Sequence, residues 1–312
     1  MKFAIKKIDS GKRLDVYLTE KLKGKSRGEV QALIAAGGVL ISGLSKNKHY
    51  RLKENEVVEV KIAKQMIKKN PASKNAPEVI FANKEFLVVN KPAGLIVHGA
   101  PHIKQPTLAD WLVKKYPALK KVGEDRVRPG IMHRLDKDAS GLMVIARTNE
   151  SFKNLKKQFQ RREVEKNYVA LVYGVIRKDE DRITFPLRRS SRGYRQAAVP
   201  DRYNFRENFS ELREAITEIK VARRFANHTL LTVKILSGRK HQIRTHLFAY
   251  GYPLVGDDLY STKKTRAENR KNNLGRIFLV AQQLGFRDLA GRKHHFTVPL
   301  PVALENFLKK LK

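Results

Sequence analysis

Residues 130–146, GIMHRLDKDASGLMVIA, join a cluster of charged side chains to an uninterrupted apolar run. The apolar run at 141–146 is short and continuous, which predicts a strand buried on both faces. Just ahead of it, Asp136 and Asp138 lie in a turn before a Ser-Gly pair. A carboxylate on a loop that enters a buried strand can be held rigidly at a cleft, but an Asp beside Ser-Gly commonly binds the local backbone instead. This stretch alone leaves open whether either Asp is a catalytic group.

The segments on both sides of this strand alternate between strand-like and helix-like patterns. Strand-like runs are EFLVVNKPAGLIVH at 85–98, which predicts two short strands around a turn, KNYVALVYGVI at 166–176 and HTLLTVKIL at 228–236. Helix-like runs are TLADWLVKKY at 107–116, ESFKNLKKQFQRREV at 150–164 and GRKHQIRTHLFAYG at 238–251. Because hairpin-length turns join neighbouring strands and no strand-helix-strand rhythm is sustained, residues 78–312 are predicted to form one α+β domain with a mixed, mainly antiparallel sheet.

The first 62 residues have the pattern of a separate small unit. Leu14, Leu18 and Leu22 recur at the spacing of one helical face. A second helix is predicted after the capping pair Ser26 and Glu29. Strands are predicted at VLIS, residues 39–42, and in the alternating run ENEVVEVKI, residues 54–62. Residues 63–77 carry Lys, Asn, Ser and Pro without apolar periodicity, so they are interpreted as a linker.

Charge is the strongest global feature of the chain. The 312 residues include 65 Lys and Arg against 30 Asp and Glu, which gives a net charge of +35. A surplus of this size causes self-repulsion unless a polyanion neutralises it, so a nucleic-acid partner is predicted. The net charge is +7 in residues 1–62 and +24 in residues 78–312, which excludes a protein whose positive charge is confined to a tail.

Several classes of protein are excluded by composition. The chain has no cysteine, which excludes disulfides, Cys-ligated zinc, iron–sulfur clusters and thiol nucleophiles. No apolar run approaches the ~20 residues of a membrane helix, and the N-terminus lacks a secretory signal pattern, so a cytoplasmic protein without membrane contact is expected. The histidines do not have the H-E-x-x-H spacing and no GxxxxGK[ST] loop is present, so neither a metal centre nor a phosphate-binding loop is predicted.

Five further stretches complete a family pattern together with the one at 133–146. They are NKPAGLIVH at 90–98, KNYVALVYG at 166–174, SGRKHQIRTH at 237–246, LVGDDLY at 254–260 and the ending RIFLVAQQLGF…FTVPLP. In this order the motifs resemble those of the RluA-type pseudouridine synthases, over nearly all of residues 78–312. The fuller agreement through RPGIMHRLDKDASGLMVIA leans toward the members called RluD, which act on the large ribosomal subunit. The N-terminal stretches GKRLDVYL, SRGEVQALIAAGGVLISG and LKENEVVEV resemble the S4 RNA-binding domain.

The resemblance implies a reaction and three catalytic residues. The reaction breaks the glycosidic bond of a uridine, turns the uracil and rejoins it through C5, and it requires no cofactor and no metal. Asp136 is the implied essential carboxylate, either as a nucleophile toward C1′ or as the base for the 2′ proton. Arg244 is the implied partner of Asp136. Tyr168 is implied to stack on the base, because a phenol with an ordinary pKa of ~10 is a poor base unaided.

The resemblance also implies RNA contacts. A target uridine must leave its helix or loop to reach Asp136, and Arg134 beside it could fill the vacated space or contact phosphate. Lys91, Gly238, Arg239 and Lys240 are expected to be cleft or phosphate contacts. The S4-like unit is expected to present basic residues to structured RNA; they are Arg13, Lys25, Arg27, Lys46, Lys48 and Arg51. His133 is expected to be structural and Asp138 to cap its turn.

Two positions depart from the family pattern. Ala139 stands where Thr is common, and Val280 stands where His is common in an LHA-type sequence. They affect the prediction of subtype and substrate, not of reaction class. The predicted function is therefore an RNA pseudouridine synthase, acting most naturally on large-subunit ribosomal RNA as a monomer. A transfer-RNA pseudouridine synthase, or a non-catalytic RNA-binding or ribosome assembly factor on the same fold, are the alternatives.

Overall fold

The computed structural model describes residues 1–22, 27–35, 37–60, 76–99, 105–190, 195–200 and 212–312. The chain divides into two compact units, Met1–Ser73 and Lys74–Lys312. Most of the predicted linker, including 63–75, and the predicted cap at Ser26 lie outside the described residues. The linker and domain limits predicted from the sequence therefore stay predictions.

The first unit packs two helices on a three-stranded antiparallel sheet. Its helices are α1 (Leu14–Lys21) and α2 (Arg27–Ala35), and its strands are β1 (Lys2–Ala4), β2 (Val39–Ile41) and β3 (Val57–Val60) in the order β1-β3-β2. The predicted apolar face of α1 is buried, with Leu14, Leu18 and Leu22 each at most 5% exposed. The predicted order of two helices and two strands is confirmed. Strand β1 was not predicted, because three residues are too few to show an alternating pattern.

The second unit is built on a nine-stranded sheet. Its strands are β4 (Glu78–Ala82), β5 (Phe86–Lys91), β6 (Ser140–Ala146), β7 (Glu165–Tyr173), β8 (Glu180–Ile183), β11 (Thr217–Arg224), β12 (His228–Ile235), β13 (Leu279–Arg287) and β14 (Lys293–Thr297). Two short strands, β9 (Leu187–Arg189) and β10 (Gln196–Ala198), form a separate ribbon. The order is β4-β5-β6-β13-β7-β12-β11-β8, with β14 on β13. Every described pair is antiparallel except β6 with β13, so the predicted fold class is confirmed.

Five helices accompany this sheet. They are α3 (Leu108–Lys115), α4 (Asn149–Gln160), α5 (Gln242–Ala249), α6 (Lys263–Asn272) and α7 (Val302–Lys309). Strand β7 shows how the two faces are used, because Tyr168 and Ala170 belong to the large core that includes residues of α3, α4 and α5. Leu171 belongs to a smaller core with Leu304 of α7. The side chain of Tyr168 therefore points to the face on which α4 and α5 pack.

Strand β6, which contains the apolar run of residues 141–146, lies near the centre of the sheet, where it pairs in parallel with β13. All seven residues of β6 are buried, as its continuous apolar run predicted. Gly141 has a φ of +122°, and a Cβ there would lie 2.2 Å from the carbonyl oxygen of Ala281. Only glycine permits this approach. The Ser-Gly pair of the motif is thus required for strand packing as well as for the turn.

Two structural predictions were wrong. The stretch GLIVH after the turn at 92–94 is not a strand, and β5 pairs with β6 and β4 instead. The stretch RIFLVAQQLGF, for which no strand was predicted, is mostly the central strand β13. Its burial on both faces hides the alternation by which a strand is recognised. The departing residue Val280 lies in this strand, buried and opposite Ser140.

No helix among the described residues is long and apolar enough to cross a membrane.

Candidate active site

Asp136 lies on the loop that enters β6, at a cavity of about 510 Å³. The cavity is also lined by Tyr168 of β7 and by Arg244 of α5, so the fold brings the three predicted catalytic residues together. The side chain of Asp136 is 17% exposed, which leaves it accessible to a bound molecule. Ala139, one of the positions that depart from the family pattern, is buried on the same loop and also lines this cavity.

The guanidinium of Arg244 connects two carboxylates. Its Nη1 donates to Oδ2 of Asp136 at 3.3 Å, while its Nε and Nη2 donate to Asp257 at 2.7 and 2.9 Å. Burial alone would lower the pKa of Arg244, but the hydrogen bonds and charge of Asp257, with the charge of Asp136, raise it above its ordinary value. The guanidinium therefore stays charged, and the paired bonds to Asp257 orient its remaining edge toward Asp136.

Asp257 is itself rigidly held. It is fully buried, and its Oδ1 accepts from the backbone N–H groups of Leu259 and Tyr260, both at 2.9 Å. The preceding Gly256 has a φ of +80°, and a Cβ there would lie 2.0 Å from the carbonyl oxygen of Arg276. The Gly-Asp pair of LVGDDLY thus forms a tight turn whose carboxylate serves Arg244.

Tyr168 forms an apolar wall of the cavity beside Asp136. It is 6% exposed. Burial raises the pKa of Tyr168 above its ordinary value, and the charge of Asp136 adds to the effect. The phenol therefore stays protonated at neutral pH. Its ring is available for stacking on a base, and its hydroxyl is a poor proton acceptor in this environment.

His241 approaches the second oxygen of the Asp136 carboxylate. Its Nε2 lies 3.9 Å from Asp136 Oδ1, and its Nδ1 lies 3.0 Å from the hydroxyl of Tyr260. That hydroxyl accepts from the backbone N–H of Gln196 at 2.8 Å. The arrangement that satisfies these groups has the Tyr260 hydroxyl donating to Nδ1, which leaves the ring proton on Nε2, facing Asp136. His241 has a φ of +53°, a left-handed conformation at the start of α5 that directs the ring into the cavity.

The prediction that Lys91 contacts RNA is wrong in this structure. Lys91 is fully buried, and its Nζ donates to the carbonyl oxygens of Pro92, Leu95 and Lys137 at 2.9, 2.8 and 3.1 Å. All three donors of the ammonium are therefore used inside the protein. Burial lowers the pKa of Lys91 to about 7, against the charges of Asp138 and Asp136. Lys91 ties the loop after β5 to the loop that carries Asp136.

The predictions for His133 and Asp138, both within residues 130–146, differ in outcome. His133 is structural, as predicted, because its Nε2 accepts from the backbone N–H of Val144 at 3.1 Å and its ring stacks on Phe159. Burial lowers the pKa of His133 to about 3, so the ring is a neutral acceptor. The prediction that Asp138 caps its turn is wrong, since among the described residues no hydrogen bond reaches its carboxylate. Asp138 acts at longer range on Lys91 and Arg276, where its charge favours the cationic forms.

The cavity mouth carries the other predicted RNA contacts of this unit. Arg134, Arg239 and Lys240 line the cavity and are exposed. Nη1 of Arg134 lies 3.1 Å from Nε2 of His98, and Nε of Arg239 donates to the carbonyl oxygen of Glu214 at 3.2 Å. Gly238 lies in the same wall, with open space around it. Their placement at the mouth is compatible with RNA contact, which stays a prediction.

The N-terminal unit orders two of its predicted contact residues around one acid. Asp15 is fully buried, and burial opposes its ionisation, but hydrogen bonds from Arg13, Gln31 and Arg27 lower its pKa to about 2. Arg13 and Arg27 remain 35% and 54% exposed, so each also has a face open to a ligand. Lys46 lies over the ring of Tyr50, with Nζ 5.3 Å from the ring centroid. Lys25 lies outside the described residues.

Three residues of the site were not predicted from the sequence: His241, Asp257 and Tyr260. All belong to stretches that had been recognised as site-forming, GRKHQIR and LVGDDLY. Among the described residues no cluster of three or more His, Asp or Glu is placed to hold a metal, so His241 does not belong to a set of metal ligands there. The sequence did hold a signal for Asp257. A buried arginine such as Arg244 requires a carboxylate partner, and the Gly-Asp-Asp sequence at 256–258 offers two candidates.

The chain has relatives that share this architecture. Residues 85–249 match the family model described as RNA pseudouridylate synthase, and residues 12–58 match the S4 domain model. A protein of Chloroflexus aurantiacus named an uncharacterized RNA pseudouridine synthase is 37% identical over 97% of this chain and 90% of its own length. The ribosomal large subunit pseudouridine synthase D of Xanthomonas campestris is 31% identical, again over 97% of this chain and 90% of its own.

A solved structure agrees in fold. Human RNA pseudouridylate synthase domain containing 4 superposes with a TM-score of 0.57 at 25% identity, over 75% of this chain and 94% of its own. The residues matched by the synthase family model include Asp136, Tyr168 and Arg244. Those matched by the S4 domain model include Arg13, Arg27 and Lys46. The chain therefore belongs to the RNA pseudouridylate synthase family, with an S4 domain ahead of the synthase domain, and is an RNA-directed pseudouridine synthase of the RluA and RluD type.

Proposed function

We propose that the protein converts specific uridines of large-subunit ribosomal RNA to pseudouridine, with Asp136 as the essential carboxylate. The observation that carries the proposal is the contact of Asp136 with Arg244, at 3.3 Å, in a cavity walled by Tyr168. The ribosomal target is supported by the large-subunit relative from Xanthomonas, which aligns over almost the whole chain.

The reaction is an isomerisation in which atoms and electrons balance within one nucleotide. The bond from C1′ to N1 of uracil breaks, the uracil turns, and a bond from C1′ to C5 forms. C5 loses its proton and N1 gains one. The protein must therefore assist departure of the base, retain it, and provide a path for one proton.

Asp136 has the position for the first task. Arg244 occupies its Oδ2, which leaves Oδ1 directed into the cavity beside His241. From there the carboxylate can attack C1′, or it can remove the 2′ proton as the base leaves. A substrate deuterated at C2′ separates the routes, because only the second breaks that bond and slows with deuterium.

Tyr168 and the cavity mouth have the positions for retention. The hydroxyl of Tyr168 stays protonated, and its largely buried ring offers a surface on which a detached uracil can stack while it turns. A uridine reaches the cavity only if it is flipped out of its surroundings. Arg134, Arg239 and Lys240 lie where the flanking RNA backbone would pass, and Arg134 can fill the space that the nucleotide leaves.

The test is the formation of pseudouridine on unmodified ribosomal RNA, followed by tritium release and by carbodiimide mapping. We expect the wild type to modify discrete positions. Asp136→Asn, which keeps the size of the side chain and removes its charge, should lower the rate by at least about 10⁴-fold. A fully active variant would remove Asp136 from the reaction, and a wild type inactive on every RNA would favour a non-catalytic RNA-binding role.

Unmodified transfer RNA is tested in the same assay. If the enzyme modifies it in preference to ribosomal RNA, transfer RNA replaces ribosomal RNA as the proposed target. We also propose that the protein acts as a monomer, and an RNA substrate is compatible with action in the cytoplasm. Light scattering of the active enzyme checks the first point.

A further inference from the structure

Lys166 is a partly buried cation for which the described part of the chain offers no anionic partner. It lies on β7 two residues before Tyr168, on the same face of the strand, and both side chains line the large cavity. Its Nζ lies 5.3 Å from the centroid of the Phe159 ring. Among the described residues no carboxylate lies within ion-pairing distance of Lys166, and no hydrogen bond from its Nζ is formed.

Lys166 also lines a second, smaller cavity of about 210 Å³ that continues from the first. The two cavities share Phe159, Gln160, Lys166, Ile235, Gly238 and Arg239. The smaller one adds Arg162, and no acidic residue lines it. Arg162 pairs with Glu214, which is exposed and lines neither cavity, at 3.3 Å. The smaller cavity is therefore a pocket with three cations in its wall.

A partly buried ammonium without a counter-charge costs folding free energy, because its partial desolvation is not offset by an ion pair. Burial lowers the pKa of Lys166 to about 8, so the group is still mainly charged at neutral pH. Phe159 offsets part of the cost through its ring face. The position has the properties of a site whose anion is supplied by a ligand.

We propose that the smaller cavity binds one backbone phosphate of the substrate RNA, next to the uridine held at Asp136, with Lys166 as its principal contact. This inference rests on the proposed function of the large cavity. Residues two apart on a strand are separated by about 7 Å, which is comparable to one nucleotide of extended backbone. A base stacked on Tyr168 thus places a neighbouring phosphate within reach of Lys166, and Arg162 and Arg239 close the pocket around it.

The first experiment measures RNA affinity against salt for wild type and Lys166→Met. We expect the dissociation constant to rise about 10- to 100-fold and the slope of log K against log salt to fall by about 0.7 to 0.9, the loss of one phosphate contact. KM for the RNA should rise by a larger factor than the rate at saturating RNA falls, because the contact is already made before the bond breaks. Lys166→Arg, which keeps the charge, should restore the slope.

The control is Lys153→Met. Lys153 is an exposed residue of α4 that lines neither cavity, so the variant removes the same charge and should change the slope less. Thermal unfolding adds a second readout. Replacing an unpaired enclosed charge by an apolar side chain should leave the melting temperature unchanged or raise it, whereas a packing role for Lys166 predicts a lower one.

The second experiment locates the phosphate. Single methylphosphonate linkages, which are neutral, are placed one at a time around the target uridine. At one position the neutral linkage should weaken binding by the wild type but not by Lys166→Met. If the effects of variant and linkage add at every position, or if the variant keeps the wild-type slope, the subsite does not exist. A wild type that makes no pseudouridine on any RNA would instead overturn the function of the large cavity.

Discussion

The orientation of one guanidinium decides the geometry at Asp136. Arg244 has five N–H donors, and the two used on Asp257 leave a defined edge for the Asp136 carboxylate. Asp257 does not face the cavity, and it acts through Arg244 as a positioning residue. A buried pair of this kind is costly to break, since removal of either charge leaves the other uncompensated.

Asp257→Asn tests this arrangement. The amide N–H₂ of the variant would meet the Arg244 N–H groups, so the guanidinium should turn away from Asp136. We expect kcat to fall by about 100-fold with a smaller change in KM, and stability to fall by about 3 to 5 kcal/mol. Activity is measured at a temperature where circular dichroism shows the variant folded.

Asp258→Asn is the matched control, because Asp258 is the exposed neighbour and, among the described residues, its carboxylate accepts a hydrogen bond from Asn269 alone. It should retain near wild-type activity. An Asp257→Asn enzyme with unchanged kcat would show that Arg244 needs no support from Asp257.

At the scale of elements, the pairing of β6 with β13 positions the loop that carries Asp136. Strand β6 begins four residues after Asp136 and packs in parallel against β13, which also pairs with β7, the strand of Tyr168. Lys91 also holds this loop, because its Nζ donates a hydrogen bond to the carbonyl oxygen of Lys137. The relative position of Asp136 and Tyr168 is therefore determined by the sheet.

Gly141→Ala tests the closeness of this packing. The new Cβ would overlap the backbone of Ala281, and a φ of +122° is strained for any L side chain. We expect a loss of stability of at least about 3 kcal/mol, measured by urea unfolding, and a loss of activity beyond the loss of folded protein.

Gly99→Ala serves as control, since a Cβ at Gly99 meets nothing within 4 Å. Its unfolding free energy should stay within about 1 kcal/mol of the wild type. If Gly141→Ala is as stable as this control, the approach of β6 to β13 does not need glycine.

At the scale of the whole molecule, the proposed chemistry belongs to the second unit, while both units carry positive charge that attracts RNA. The N-terminal unit has its own apolar core, including Leu14, Val30 and Val58, and it contains none of the residues around Asp136. Its share of the net charge is +7 of +35, so the synthase domain keeps most of the attraction for RNA. The S4 domain should therefore add specific affinity to a background of general phosphate binding.

Deletion of residues 1–65 tests this division. We expect the dissociation constant for the true substrate to rise by about 10- to 100-fold, while single-turnover rates at saturating RNA change by less than about threefold. Filter binding and rapid quench measure the two quantities. Unchanged affinity for that substrate would exclude the S4 domain from recognition.

The amino-acid sequence by itself determined the reaction class and the elements that carry it. The run at 141–146 could only be a buried strand, and the ordered motifs around Asp136, Tyr168 and Arg244 matched one family. These signals are local, because they depend on periodicity, turns and residue order along the chain.

Only the tertiary structure decided which polar side chains are buried and which partners each of them contacts. Lys91 and Lys166 are both lysines in site-forming stretches, yet one is enclosed by three carbonyl oxygens and the other lacks any anionic partner among the described residues. Asp257 and Arg244 are hydrogen-bonded although 13 positions separate them in the sequence. Arg244 and Asp136 are hydrogen-bonded across 108 positions. The physical reason is that burial, pKa and pairing depend on groups brought near by the fold, and the free energy of a charge is determined by those neighbours rather than by its place in the chain.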